Sequence, residues 1–119
     1  MNLVEFFLTI QNQLKVFHWQ TENYGEHKAL DKTYNKFTDL SDKFFETYMG
    51  KHGRLKAKDS FEIKLINYNS DFKSTITSYI EIFVEDFPKV FKEKDTDLLN
   101  IRDEMLGTLN QLMYLLSLS

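Results

Sequence analysis

LKVFHWQTENYGEHKALDKTYNKFTDLSDKFFE, residues 14–46, decides how this chain is read. One apolar periodicity ends near Trp19, a polar break runs from Thr21 to Gly25, and a second periodicity covers about Glu26 to Met49. A break this short requires the two helices to pack antiparallel. Leu30, Tyr34, Phe37, Phe44 and Tyr48 form the core stripe of the second helix, and Gly50 and Gly53 are expected to end it.

Beside that stripe runs a second one of different chemistry. At about 100° per residue from His27, Asp31 lies near 40°, Asp42 near 60° and Glu46 near 100°. At about 1.5 Å rise per residue, however, Asp31 and Asp42 stand roughly 16 Å apart, so one ion cannot touch both within one chain. The two ends meet only when a second copy of the helix lies antiparallel against the first. Such a contact is isologous and creates two equivalent sites per dimer.

Upstream, Leu3, Phe7, Ile10, Leu14 and Phe17 give the first helix its apolar face, with Asn2 as its N-cap. His18 follows Leu14 by four residues and therefore looks inward. Downstream, Lys51 to Ser70 is irregular, with Phe61, Ile63 and Leu65 alternating with charged residues, so part of it is expected to be extended along the bundle. A third helix starts near Asp71, with Phe72, Ile76, Tyr79, Ile80, Phe83 and Phe87 facing inward, and Pro88 stops or kinks it. Asp95 or Thr96 caps a fourth, with stripe Leu98, Ile101, Met105, Leu109, Leu112 and Leu116. The expected fold is all-α: one domain over residues 1–119, a four-helix bundle with a long crossover between helices 2 and 3.

Composition narrows the function. The 119 residues suffice for one domain with its own core, and no apolar run reaches the ~20 residues of a membrane span. No basic leader precedes the apolar N-terminal stretch, so a cytoplasmic location is expected. With no cysteine, any bound metal must be held by nitrogen and oxygen donors. A net charge of −3 gives no global attraction to nucleic acid, and the local basic run Lys51, His52, Arg54, Lys56 and Lys58 reads more simply as a solvated loop.

A histidine or carboxylate one turn from a carboxylate can share an ion with it, as in His27 with Asp31 and Asp42 with Glu46. Each pair alone is also what a charged helix exterior looks like. His18 and His27, brought together by the short turn, add two imidazoles, and a nitrogen and oxygen set with open positions suits Fe(II) or Mn(II) better than a closed zinc site.

Residues 14–46 resemble the first two helices of the Dps mini-ferritins, in the ferritin-like superfamily, and Asp95 to Leu118 resembles the last helix more loosely. The resemblance implies a ferritin-like fold and an iron oxidation site at a two-fold interface. His18, His27 and Asp31 would come from one subunit, Asp42 and Glu46 from its mate, and Trp19 would neighbour the site. It further implies ferroxidase activity, commonly with hydrogen peroxide, and iron storage in a hollow dodecamer that protects against oxidative stress. Two features depart from the Dps pattern: the His18 to His27 interval is shorter, and the chain has no lysine-rich terminal arm of the kind that holds DNA. The HWQT and HKALDKTY segments also resemble a small uncharacterised family of phages and large DNA viruses, which implies a host-cytoplasmic or virion setting. A ferritin-like module without catalysis, structural or for interaction, therefore stands beside the iron reading, and DNA protection through Lys51 to Lys58 is a weaker third.

Overall fold

The computed structural model describes residues 2–119, and the described chain is all-α. Helix α1 spans Leu3–Gln20, and the Asn2 side chain caps it by accepting the Glu5 N–H at 2.9 Å. Its expected stripe, Leu3, Phe7, Ile10, Leu14 and Phe17, is buried throughout. Helix α2 spans Tyr24–His52, capped by Asn23, which accepts the Glu26 N–H at 2.9 Å. The break between them is thus shorter than its polar composition implied. Tyr24 and Gly25 belong to the first turn of α2, and a Cβ on Gly25 would lie 2.7 Å from Ser119 Oγ, so glycine lets the end of the chain close over that turn.

The far end of α2 corrects the sequence reading. Gly50 does not end the helix; the chain stays helical to His52 and stops at Gly53, whose φ of +87° suits glycine. The extra turn is held from outside. Lys51 Nζ lies 2.9 Å from Asp95 Oδ1 and 2.8 Å from Asp97 Oδ1, and His52 Nε2 lies 3.2 Å from Asp95 Oδ1. Those contacts favour the helical form of a turn that an interior glycine weakens.

Residues 53–71 form no strand. Their main-chain groups are bonded by side chains of α1: Glu62 N–H donates to Glu5 Oε2 at 2.8 Å, and Tyr68 N–H to Gln20 Oε1 at 2.6 Å. Between these, the buried Gln13 takes both groups of one residue, accepting the Ile66 N–H at 2.8 Å and donating to the Ile66 carbonyl at 2.9 Å. The segment therefore lies alongside α1 from its first turn to its last. Phe61, Ile63 and Leu65 stay partly exposed, and the extended run needs no pairing strand because α1 supplies the bonds.

Helix α3 spans Phe72–Glu85, and Pro88 falls in a following 3-10 turn, Phe87–Lys89, where its missing N–H is harmless. Phe72 packs on Phe17, and Phe83 packs on Phe6 and Phe7. Helix α4 spans Thr96–Ser117, and all six residues of its expected stripe are buried. Asp95 occupies the N-cap position of α4, but its side chain makes no capping bond, being committed to Lys51 and His52. Tyr34, Tyr48 and Ile80, expected in the core, sit at its margin. No described helix is long and apolar enough to cross a membrane.

Phe7 is the hub of the core. Its fully buried ring lies 5.0 Å from those of Phe44 and Phe45, 5.9 Å from Phe83 and Phe87, and 6.1 Å from Phe37. Truncating it leaves a cavity walled by three other elements, so Phe7→Ala should lower stability by about 3–5 kcal/mol, read by urea denaturation. The Asp95 cluster makes a separate prediction. The Lys51 ammonium, helped by His52 and the Lys92 N–H and opposed by desolvation, holds the Asp95 carboxyl down from 3.8 to about 2. A carboxyl lowered by folding stabilises fully above its unfolded value and loses that contribution as pH falls through its folded one. Asp95→Asn should therefore be less stable than the parent at pH 7, with the gap closing between about pH 4 and pH 2 in denaturation curves.

Candidate metal half-site

The three-residue turn between α1 and α2 brings the last turn of one helix against the first of the other. His18 is buried at the end of α1, and His27 sits one turn into α2. Their bonding is reciprocal: His18 Nδ1 lies 2.8 Å from the His27 carbonyl oxygen, and His27 Nδ1 lies 2.8 Å from the His18 carbonyl oxygen. A carbonyl only accepts, so both Nδ1 atoms carry protons and donate. In the neutral ring each Nε2 then keeps a free lone pair. The rings stack with centroids 3.9 Å apart and planes 18° apart, and Tyr24, itself exposed, stacks beyond His27 with centroids 6.3 Å apart.

Asp31 lies one turn beyond His27, with Oδ1 3.8 Å from His18 Nε2. That is too long for a hydrogen bond. Lys15, which the spacing of acids and histidines did not single out, lies with Nζ 3.6 Å from the same oxygen and 4.5 Å from the centroid of the Tyr34 ring. Its position was legible in principle, since it lies one turn before His18 on the same helix face. An ammonium group thus stands beside the carboxylate that a metal ion would use. Beside Asp31, between the start of α2 and the end of α4, a groove of about 480 Å³ opens between Lys28 and Lys32 on one wall and Leu115 and Leu118 on the other.

Asp42 and Glu46 are exposed and make no side-chain hydrogen bond or ion pair among the described residues. Among the described residues no three His, Asp or Glu side chains of one chain converge on a point that could hold a metal ion. His18, His27 and Asp31 thus lie near the turn without converging as a ligand set, and Asp42 and Glu46 lie farther along α2. Trp19 is 68% exposed and so is not part of the core. In the basic run, Lys51 and His52 are occupied by Asp95 and Asp97, while Arg54, Lys56 and Lys58 are solvated.

The model of a family of unknown function, DUF5856, matches residues 18–116. This chain belongs to that family. A protein of Enterobacteria phage T4 named only as an uncharacterized 14.6 kDa protein in the mobD-ri intergenic region is 30% identical over 101 residues, covering 85% of this chain and 74% of the phage protein. No solved structure matches. The DUF5856 match begins at His18 and includes all five candidate residues.

One buried acid of this DUF5856 chain escaped the sequence reading. Glu26, next to His27, is buried and accepts hydrogen bonds from Thr21 Oγ1 at 2.7 Å and from the Tyr68 hydroxyl at 2.6 Å. It ties the turn to the segment lying along α1. Asn23 and Glu26 do have capping-box spacing, but the Glu26 side chain is spent on Thr21 and Tyr68. The bond to Glu26, with burial, pushes the Tyr68 hydroxyl above its usual 10.0. Tyr68→Phe should lower stability by about 1.5–3 kcal/mol, the range for a bond to a charged group, whereas Tyr24→Phe, at an exposed ring, should change it little. Thermal unfolding of the two variants checks the contrast.

Proposed function

We propose that this chain is a Dps-like, ferritin-like helical protein that binds Fe(II) as its substrate at a site completed by two copies of the chain. The observation that carries the reading is the orientation of the two histidines. Metal-binding histidines commonly donate their other ring N–H to a backbone carbonyl, which fixes the tautomer and frees the second nitrogen. Both His18 and His27 have that arrangement, with Asp31 one turn away. Asp42 and Glu46, exposed and unengaged, supply the other half.

The order of contacts supports a ferritin-like course. The 53–71 segment, bonded to α1 from Glu5 to Gln20, acts as the crossover and returns the chain so that α3 begins beside Phe17 and ends beside Phe7. The first two helices and the last two then form hairpins of opposite sense. With hydrogen peroxide as oxidant, two Fe(II) ions each give one electron, the O–O bond breaks, and two hydroxides form. The protein's part is to hold the ions through His18, His27, Asp31, Asp42 and Glu46, with Lys15 giving up Asp31 as an ion enters. Iron sequestration in a larger assembly, up to a dodecamer, and protection against oxidative stress follow from the same reading. Manganese or zinc fits the same donors.

A second reading has its own support. Crossed histidine-to-carbonyl bonds already give both rings a structural task, so the pair can serve as a clip in a ferritin-like module that binds no metal. The phage relative supports a viral setting for that module. DNA protection is less supported, because two of the five basic groups are neutralised by Asp95 and Asp97.

Anaerobic titration with Fe(II) separates the first two readings. Saturable binding, with one site per chain, should be lost in Asp31→Ala and in Glu46→Ala, while circular dichroism stays unchanged. Equal binding by the parent and both variants, or none by the parent, would sink the iron reading.

A further inference from the structure

The segment that lies along α1 carries Phe61, Ile63, Leu65 and Ile66, four exposed apolar side chains within six residues. Its backbone is bonded on one side only. The main-chain groups that meet α1 belong to Glu62, Ile66 and Tyr68, all at even positions. Those of an extended chain alternate in direction with period two, so the N–H and C=O groups of Phe61, Ile63 and Leu65 point away from α1. None of these has a hydrogen bond among the described residues. There is also little slack in the run. Glu62 and Tyr68 are tied to Glu5 and Gln20, which stand about 22 Å apart along the axis of α1. Six residues reach about 20–22 Å only when fully extended. Residues 61–65 are thus a straight, apolar strand with one open edge, the feature that most readily pairs with another chain.

This edge is not the surface that carries Asp31. Gln13 holds Ile66, whereas Lys15 faces Asp31 and Tyr34 of α2. Two residues apart on α1, they point about 160° apart around it.

The sequence of the edge, FEIKL, is complementary to its own reverse. With Ile63 on a two-fold axis, antiparallel pairing sets Phe61 opposite Leu65, Ile63 opposite Ile63 and Glu62 opposite Lys64. The open groups of residues 61, 63 and 65 then fall at the hydrogen-bonded positions and bond the same groups of the other copy. Glu62 and Lys64, whose side chains make no ion pair or hydrogen bond among the described residues, meet as two opposite-charge pairs. Moving the axis by one residue sets Lys64 against Lys64 or Glu62 against Glu62, so charge selects the register.

We propose that two copies of this chain join by antiparallel β-pairing of residues 61–65 about a two-fold axis at Ile63. The contact goes beyond the iron site proposed above and uses neither α2 nor its acids. Because α1 already orders each strand, pairing avoids most of the ordering cost that leaves an isolated two-stranded ribbon marginal.

The chain has no cysteine, so introduced ones report the register directly. In protein treated with a chelator, a mixture of Glu62→Cys and a mass-tagged Lys64→Cys should form mixed disulfide dimers on mild oxidation, since directly opposite Cβ atoms lie about 4.5–5.5 Å apart. Either variant alone, with its cysteines on the diagonal at about 7–8 Å, should link at least about five-fold less. Equal linking by a single variant, or no mixed linking, overturns the proposal. A cysteine-free check uses charge. Glu62→Lys and Lys64→Glu each set like charges opposite one another and should weaken self-association about ten-fold by sedimentation, while mixing the two variants, or joining both changes in one chain, should restore it. A misfolded variant would not be rescued in this way. Charge changes without effect or without rescue, or a parent that sediments as a monomer, also overturn the pairing. Mixed linking without Fe(II) binding defeats the iron reading and leaves the pairing standing, whereas Fe(II) binding without mixed linking does the reverse.

Discussion

The crossed bonds between His18 and His27 set the register of the whole fold. Each ring donates to the backbone of the other residue, so α1 and α2 are locked at one end by two bonds that cannot both survive a slip. A shift of one helical turn would be about 5.4 Å. It would carry Phe7 away from Phe37 and Phe44 at the other end of the hairpin and empty the centre of the core. The later elements are placed by this hairpin: Gln13 positions the long segment, Phe17 receives α3, and α2 receives α4 between the Lys51–Asp95 pair and the Gly25–Ser119 contact.

The helices and their inward faces were legible in the sequence because a 3.6-residue period is a local property. Fifteen of the core positions in α1, α3 and α4 needed only spacing, from Leu3 to Leu116. What failed was non-local. Gly50 carries a valid stop signal, and nothing near it in sequence announces that Asp95 will hold the next turn in helical form. Asp95 carries a valid cap signal, and the same ion pairs divert it. Glu5, Gln13 and Gln20 look like a solvated face, yet they bond the main chain of residues roughly fifty positions away.

The half-site divides along the same line. That His18 faces inward, and that His27 and Asp31 share a face, followed from helix geometry. The Nδ1 donation was not legible, because it depends on how closely a three-residue turn brings two helices. Lys15 was passed over because a cation is not sought beside a metal ligand, and Trp19 turned outward because the stripe it follows ends at Phe17 and His18. The separation of Asp42 from Asp31 was legible for the opposite reason: helix rise is the most rigid measure in the chain.

Electrostatics would link the proposed assembly to the proposed ion binding. In the proposed two-fold site Asp31 of one copy is brought beside Asp42 and Glu46 of the other. Two unit charges about 4 Å apart repel by about 4 kcal/mol at the effective dielectric of a protein surface. Lys15 offsets one carboxylate and no more, so bringing the acidic half of a second copy into place leaves negative charge unbalanced on each side of the axis. A divalent cation between the carboxylates removes that repulsion, and by linkage whatever binds the dimer and not the monomer strengthens the dimer. The same acids that weaken a metal-free contact would therefore make the assembled protein the form that holds the ion.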